Sequence, residues 1–251
     1  MKTLLCSGLC KNILSSQYVR PVVHTMASMM TSIIVLVSFQ PRVHAGDVNI
    51  GPFVHAGAGS NTTVAQGWKT GPAFSGMPDI GIAAQYGLNS AGTLKAGLDL
   101  GYSALAFENQ RVSTNQRIRE RYTYLSLFPH VYYQNFVLGV SYNMPLSGEC
   151  TDIDKALEVS TVINGSKMYE DYLAAIPCLK TGARIALATN DKHTLNLDVM
   201  VSYALSGLFE DGKNYVGAYD YNGVSVVYNA AKNAMPVGLH LGFSYLFRLG
   251  M

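Results

Sequence analysis

Residues 238–247 alternate in character from one side chain to the next. Leu239, Leu241, Phe243, Tyr245 and Phe247 share one face of an extended chain, and Gly238, His240, Gly242, Ser244 and Leu246 share the other. An apolar face backed by a small or polar one suits a barrel wall with lipid outside and a polar lumen inside. Seven further segments carry comparable apolar patterning, at residues 48–58, 80–88, 94–106, 121–133, 136–143, 179–188 and 195–205. In the third, Leu94, Leu98, Leu100 and Tyr102 oppose Lys95, Gly97, Asp99, Gly101 and Ser103. In the seventh, Leu195, Leu197, Val199, Val201 and Tyr203 oppose Asn196, Asp198 and Ser202. Only 121–133 is apolar on both faces, which leaves its orientation open. Segments of about ten residues match a tilted membrane strand.

The connections sort by length. Links 59–79, 107–120, 145–177 and 207–236 are long, whereas 89–92, 134–135 and 190–193 are short. Long outer loops alternating with short inner turns are a property of outer-membrane barrels, and an even strand count leaves both termini on the periplasmic side. Aromatic side chains on the apolar face sort as well. Tyr102, Tyr142 and Tyr203 lie toward the long links, and Tyr86, Phe136, Tyr245 and Phe247 toward the short turns. Two such belts mark two membrane interfaces. The pattern predicts an all-β protein, an eight-stranded antiparallel up-and-down transmembrane β-barrel. A soluble barrel would turn the apolar face inward and leave outside a face with too few charges for water.

The start of the chain changes the picture of charge and compartment. Residues 1–45 contain Lys2, Lys11, Arg20 and Arg42, no acid, and an apolar stretch around Ile33–Val37 that leads to Val43-His-Ala45. This reads as a signal peptide cut after Ala45, with Met26, Met29 or Met30 as alternative starts and an N-terminal anchor as the competing reading. The barrel would then occupy residues 46–251. The whole chain has 18 basic and 16 acidic residues; without the leader 14 basic residues face 16 acidic ones. That balance gives a nucleic-acid partner no electrostatic support. Cys150 and Cys178 flank the third long link and are expected to form a disulfide in an oxidising compartment, with two free thiols as the alternative. Closing about 28 residues would contribute roughly 3–4 kcal/mol by the loop-entropy argument.

Three stretches carry a family resemblance: Tyr124-Leu-Ser-Leu-Phe-Pro129, Phe136-Val-Leu-Gly-Val-Ser-Tyr142, and the ending 238–247. The chain resembles the PorT-like small outer-membrane β-barrels. Their Tyr-Leu-x-x-Pro strand is one residue longer here, and their Gly-x-x-Tyr-x-Phe ending is met by Gly242, Tyr245 and Phe247. The resemblance implies an integral membrane protein without a cofactor. The family's namesake takes part in protein secretion and gliding. With His240, these residues also resemble the C-terminal signal read by the barrel-assembly machinery, although Arg248-Leu-Gly-Met251 follows the final aromatic.

Candidate chemistry is sparse. The sequence contains no phosphate-binding glycine loop, no His-Glu-x-x-His and no Gly-x-Ser-x-Gly. Ser126 and His130 share a face, but four strand residues place them roughly 13 Å apart, and proton transfer needs about 3 Å. His55 and His240 sit on strands that become neighbours on closure and are positioned for a lumen contact. Acids at 149–154 and 170–171 raise a calcium site against a solvated loop. Tyr215, Tyr219, Tyr221 and Tyr228 leave partner recognition and rim packing both open. The lumen of an eight-stranded barrel is just wide enough for side chains to fill. Lys95, Asp99, Lys180, Arg184 and Asp198, with Asp79, are therefore expected to plug it by pairing three cations with three anions. The expected protein is no enzyme and takes no metal or cofactor. It is a monomer that contacts outer-membrane lipid and an envelope or secretion partner through its loops. A porin-like narrow channel and a lipid-modifying barrel enzyme are the alternatives.

Overall fold

The structure, a computed structural model, describes residues 46–63, 67–113, 115–153, 173–208 and 234–249, with the short strands at 157–158, 162–163, 166–167, 216–221 and 224–229. The leader and its cleavage site at Ala45 fall outside these residues. In chain order the strands are β1 (Val48–Asn61), β2 (Trp68–Phe74), β3 (Asp79–Gly87), β4 (Leu94–Arg111), β5 (Arg117–Tyr133), β6 (Phe136–Asp152), β7 (Leu157–Glu158), β8 (Val162–Ile163), β9 (Ser166–Lys167), β10 (Ile176–Thr189), β11 (His193–Ala204), β12 (Val216–Tyr221), β13 (Val224–Asn229) and β14 (Pro236–Leu249).

The ladder closes on itself. β1 pairs antiparallel with β14, β14 with β11, β11 with β10, β10 with β6, β6 with β5, and β5 with β4. Between β4 and β1 run β2 and β3, end to end, each paired with both neighbours. The wall is a ring of eight strand positions, one of them broken at residues 75–78. Two-residue β7 pairs antiparallel with the end of β6, and β8–β9 and β12–β13 are separate hairpins. Both ends of the wall meet the short turns: Gly46 N donates to Gly87 O at 3.1 Å, and Arg248 N donates to Lys192 O at 2.8 Å.

The wall is apolar outward. Ile82, Leu98, Leu127, Val131, Leu138, Val140, Leu239, Leu241 and Phe243 are exposed, and Asn49, His55, Gln85, Asp99, Ser141, Arg184, Asn196, Asp198 and Ser244 are buried inside. This is the reverse of a water-soluble barrel. With its backbone bonds closed in the ladder and its outer surface aliphatic, the wall faces lipid. Tyr86, Phe136, Tyr142, Tyr203, Tyr245 and Phe247 stand on that outer surface. The orientation left open for 121–133 is decided by burial. Ser126, Phe128, His130 and Tyr132 point inward, and Leu125, Leu127, Val131 and Tyr133 outward.

Three expectations need correction. The first long link contains β2, which continues the wall beyond β3. The second and third links are shorter than expected, because β4, β5 and β6 run on to Arg111, from Arg117 and to Asp152. In those extensions the outward face carries charge: Arg119 Nη2 meets Glu108 Oε1 at 2.7 Å, and Arg121 Nη2 meets Glu149 Oε2 at 2.7 Å. An apolar-face signal stops where the wall leaves the hydrocarbon, although the hydrogen-bond ladder continues. Third, the Cys150–Cys178 bridge is not formed. Cys178 is a free thiol opposite Ser141, and Cys150 lies opposite Glu120, further along the same β6. Nine strand residues separate the two levels, about 30 Å at the strand rise, and a disulfide requires Cα atoms within about 7 Å.

Two outcomes follow. Leu241, 52% exposed at the middle of β14, tolerates Phe but not Arg. Leu241→Arg lowers the membrane-inserted, heat-modifiable fraction, because an arginine at the midplane costs roughly 2–4 kcal/mol. Gel mobility with and without boiling measures this for both variants. Non-reduced peptide mapping of protein isolated under alkylating conditions finds no peptide linking Cys150 to Cys178.

Candidate functional site: the lumen

The interior is built around one guanidinium. Arg184, on β10, is buried together with the two carboxylates it bridges. Its Nε donates to Asp198 Oδ1 on β11 at 2.7 Å, and its Nη2 donates to Asp99 Oδ2 on β4 at 3.0 Å. Its Nη1 donates to the Tyr132 hydroxyl on β5. That hydroxyl also accepts from Gln85 Nε2 on β3 at 3.2 Å. Asp198 is completed from the other side: His55 Nε2 on β1 lies 2.9 Å from Oδ2, and Ser244 Oγ on β14 donates to Oδ1 at 3.3 Å. A planar fork of donors suits this bridging role, which a lysine's single ammonium does not. The network ties the wall together across the lumen as well as around it.

A second group sits nearer the long connections. At the broken wall position, residues 75–78 interrupt the ladder, and Ala104 N on β4 donates instead to Asp79 Oδ1 at 2.8 Å. The other oxygen, Asp79 Oδ2, lies 2.7 Å from His240 Nδ1, and His240 Nε2 lies 2.9 Å from Ser202 Oγ. Among the expected lumen residues, Asp99, Arg184 and Asp198 are therefore brought together. Lys180 lies over the Phe128 ring at 5.3 Å from its centroid. Neither Lys180 nor Lys95 joins an ion pair among the described residues. The expected three-against-three pairing is thus replaced by one arginine shared between Asp99 and Asp198, with His55 also on Asp198 and His240 on Asp79. The physical cause is register: Asp198 lies directly across from Arg184 on the β10–β11 ladder. The expected His55–His240 contact is also replaced, because each ring turns to a different carboxylate. Ser126 and His130 remain apart, and His130 Nδ1 donates to Phe128 O at 2.8 Å.

Above the polar groups the lumen becomes apolar. Phe107, Ile118, Tyr122, Tyr124, Leu173, Ile176, Ala204 and Leu208 pack into one buried cluster at the long-connection end, with Trp68 and Leu105 against it. Residue-by-residue alternation does not reveal this, since a strand that is apolar on both faces reads as ambiguous. Among the described residues, two small cavities, about 20 Å³ and about 30 Å³, share Ser103, Lys180 and His240 in their linings. Each has room for water-sized groups only.

Of the residues resembling an assembly signal, His240 and Gly242 face the lumen, and Tyr245 and Phe247 face outward and stack edge-on at 5.1 Å. The acids considered for calcium divide. Glu149 pairs with Arg121, Asp152 lies opposite Ile118 at the end of β6, and Asp154, Glu170 and Asp171 fall outside the described residues. Of the four loop tyrosines, Tyr219, Tyr221 and Tyr228 lie on the β12–β13 hairpin, and Tyr215 falls outside the described residues.

No protein-family model and no curated protein matches this chain. Among solved structures, it is similar to the outer membrane protein OprG from Pseudomonas aeruginosa, at 12% identity over 84% of this chain and 100% of that one, with a TM-score of 0.33. It is similar to the outer membrane protein AlkL, solved in DMPC lipid bilayers, at 16% identity over 85% and 96% of the two chains, with a TM-score of 0.34. It is also similar to the translocator domain of the autotransporter NalP from Neisseria meningitidis, at 9% identity over 89% and 95%, with a TM-score of 0.27. The barrel itself rests on this chain's own strand register.

The network makes a stability prediction. Arg184→Met leaves Asp99 and Asp198 buried without their cation, and removing one partner of a buried ion pair costs about 3–5 kcal/mol. The urea midpoint of the folded band on unboiled gels therefore falls sharply. Replacing both aspartates by leucine in the Arg184→Met background recovers much of the loss.

Proposed function

We propose that this protein is an integral barrel of the bacterial outer membrane that acts as a wall anchor, presenting its long connections to an envelope, adhesion or secretion partner. In this reading the short turns and both termini face the periplasm, and the long connections face outward. The PorT-like resemblance of Tyr124–Pro129, Phe136–Tyr142 and the β14 ending supports a place in that group and in its association with secretion.

The observation that carries the reading is the Arg184 network. A guanidinium held at once by Asp198, Asp99 and Tyr132 crosses the space that a solute would need. Moving it aside would strand two buried carboxylates, at a cost of several kcal/mol. The apolar cluster above adds a second obstruction. A narrow channel is the competing reading, and no feature among the described residues favours it.

Planar-bilayer recording of the purified, folded protein checks this. The expected trace has no stable open level. Reproducible unitary conductance in the wild type would overturn the plugged-anchor reading.

A further inference from the structure

Ser202, His240 and Asp79 form a chain of contacts that the Arg184 plug does not use. A carboxylate only accepts, so in the neutral imidazole the 2.7 Å contact with Asp79 Oδ2 places the proton on His240 Nδ1. That leaves the Nε2 lone pair to receive the Ser202 hydroxyl at 2.9 Å. Asp79 is itself held by the Ala104 amide at 2.8 Å. This is the nucleophile, base and orienting carboxylate of serine acyl transfer, recognised by geometry rather than by chain order. Two further observations point to a ligand. A Cβ on Gly238 would stand 2.6 Å from Ser202 Oγ and 2.9 Å from His240 Nε2, so the glycine keeps the point of contact open. The hydroxyl of Tyr124, a residue that is 3% exposed, has no hydrogen-bond partner among the described residues, and Tyr124 lines the same cavity of about 30 Å³ as Ser202 and His240. A buried donor without an acceptor on the wall of the cavity that holds the serine is a candidate to meet an oxyanion.

We propose that this protein hydrolyses fatty acyl esters at Ser202, with His240 as general base and acid, Asp79 orienting it and Tyr124 donating to the oxyanion. At about 30 Å³ the cavity holds water-sized groups only, such as the oxyanion oxygen or the attacking water, so the acyl chain has to displace part of the neighbouring apolar cluster. Its lining also includes Ser103, Ser141, Asn143, Cys178 and Lys180; on the apolar side, Leu105 and Ile176 adjoin the apolar cluster, and that is the side on which a hydrocarbon chain would lie. Ser202 Oγ attacks the ester carbon as His240 Nε2 takes its proton. The ester C–O bond then breaks, and the leaving alkoxide takes that proton from Nε2. Water attacks the acyl-serine, again giving a proton to Nε2, and the acyl–Oγ bond breaks with return of the proton to Ser202. The products are a fatty acid and an alcohol. This goes beyond the anchor reading and does not depend on whether the lumen conducts.

The test is covalent labelling of the folded, heat-modifiable full chain with an alkyl fluorophosphonate, followed by peptide mapping. The label is expected on Ser202. Asp79→Asn lowers the labelling rate by about 10³–10⁴-fold, and Tyr124→Phe by about 10²-fold. Ser202→Ala abolishes labelling, and Ser126→Ala labels like the wild type. Mapping the wild-type adduct keeps the result decisive if a variant fails to fold. Folded wild type that takes no label, or label elsewhere than Ser202, overturns the proposal. Fatty acid release is then measured from phosphatidylethanolamine vesicles and, separately, from purified lipopolysaccharide. Release from either supports the substrate class and identifies its source, and release from neither overturns it.

Discussion

Closure of the β1–β14 ladder is the constraint on which the rest depends. In hydrocarbon an unpaired backbone N–H or C=O costs several kcal/mol, and a sheet has no acceptable free edge there. The register from Val48 opposite Leu249 to Asn61 opposite Pro236 removes that edge. Closing at eight positions leaves an interior that only side chains can fill. Whatever points inward must therefore pack, and its polar atoms find their partners mainly in one another. Arg184 meets Asp198, Asp99 and Tyr132 in this way, with Asp99 Oδ1 left without a hydrogen-bond partner among the described residues.

The one break in the wall shows how strict that accounting is. Between β2 and β3 the chain leaves the ladder at residues 75–78, and two amides would lose acceptors. Ser75 N donates to Gly57 O at 3.0 Å, and Ala104 N finds the Asp79 carboxylate at 2.8 Å. The repair holds Asp79 inside the barrel with one oxygen committed to the wall and the other facing His240. A side chain required by backbone satisfaction thus also orients an imidazole toward a serine.

The inside of the barrel is divided along its axis. The polar groups lie in its middle, and the long-connection end is an apolar core of Phe107, Tyr122, Ile176 and Leu208. Within that core Glu120 is buried and accepts from Asn109 Nδ2 at 2.9 Å. Outside, the wall changes at the same end from aliphatic to charged, with the Arg119–Glu108 and Arg121–Glu149 pairs. Both changes fit an interface there: water favours charge outward, and side chains inside a tube that ends in water can bury one another.

Much of this architecture was legible in the residues alone. Which face of β14 or β11 meets lipid follows from alternation, because strand geometry places neighbouring side chains on opposite faces whatever the rest of the chain does. The short turns and the inward placement of Asp99, Lys180, Arg184 and Asp198 follow for the same local reason. The extensions of β4, β5 and β6 were hidden, because there both faces change character together. The partners of the inward groups were decided only by the tertiary structure. His55 and Asp198 are 143 residues apart, and His240 and Asp79 are 161 apart. Their meeting depends on the stagger of every ladder around the ring, where a slip of one residue anywhere would turn one member of a pair to the other face. Local periodicity sets inside and outside, and only the closed register sets which inside residue touches which.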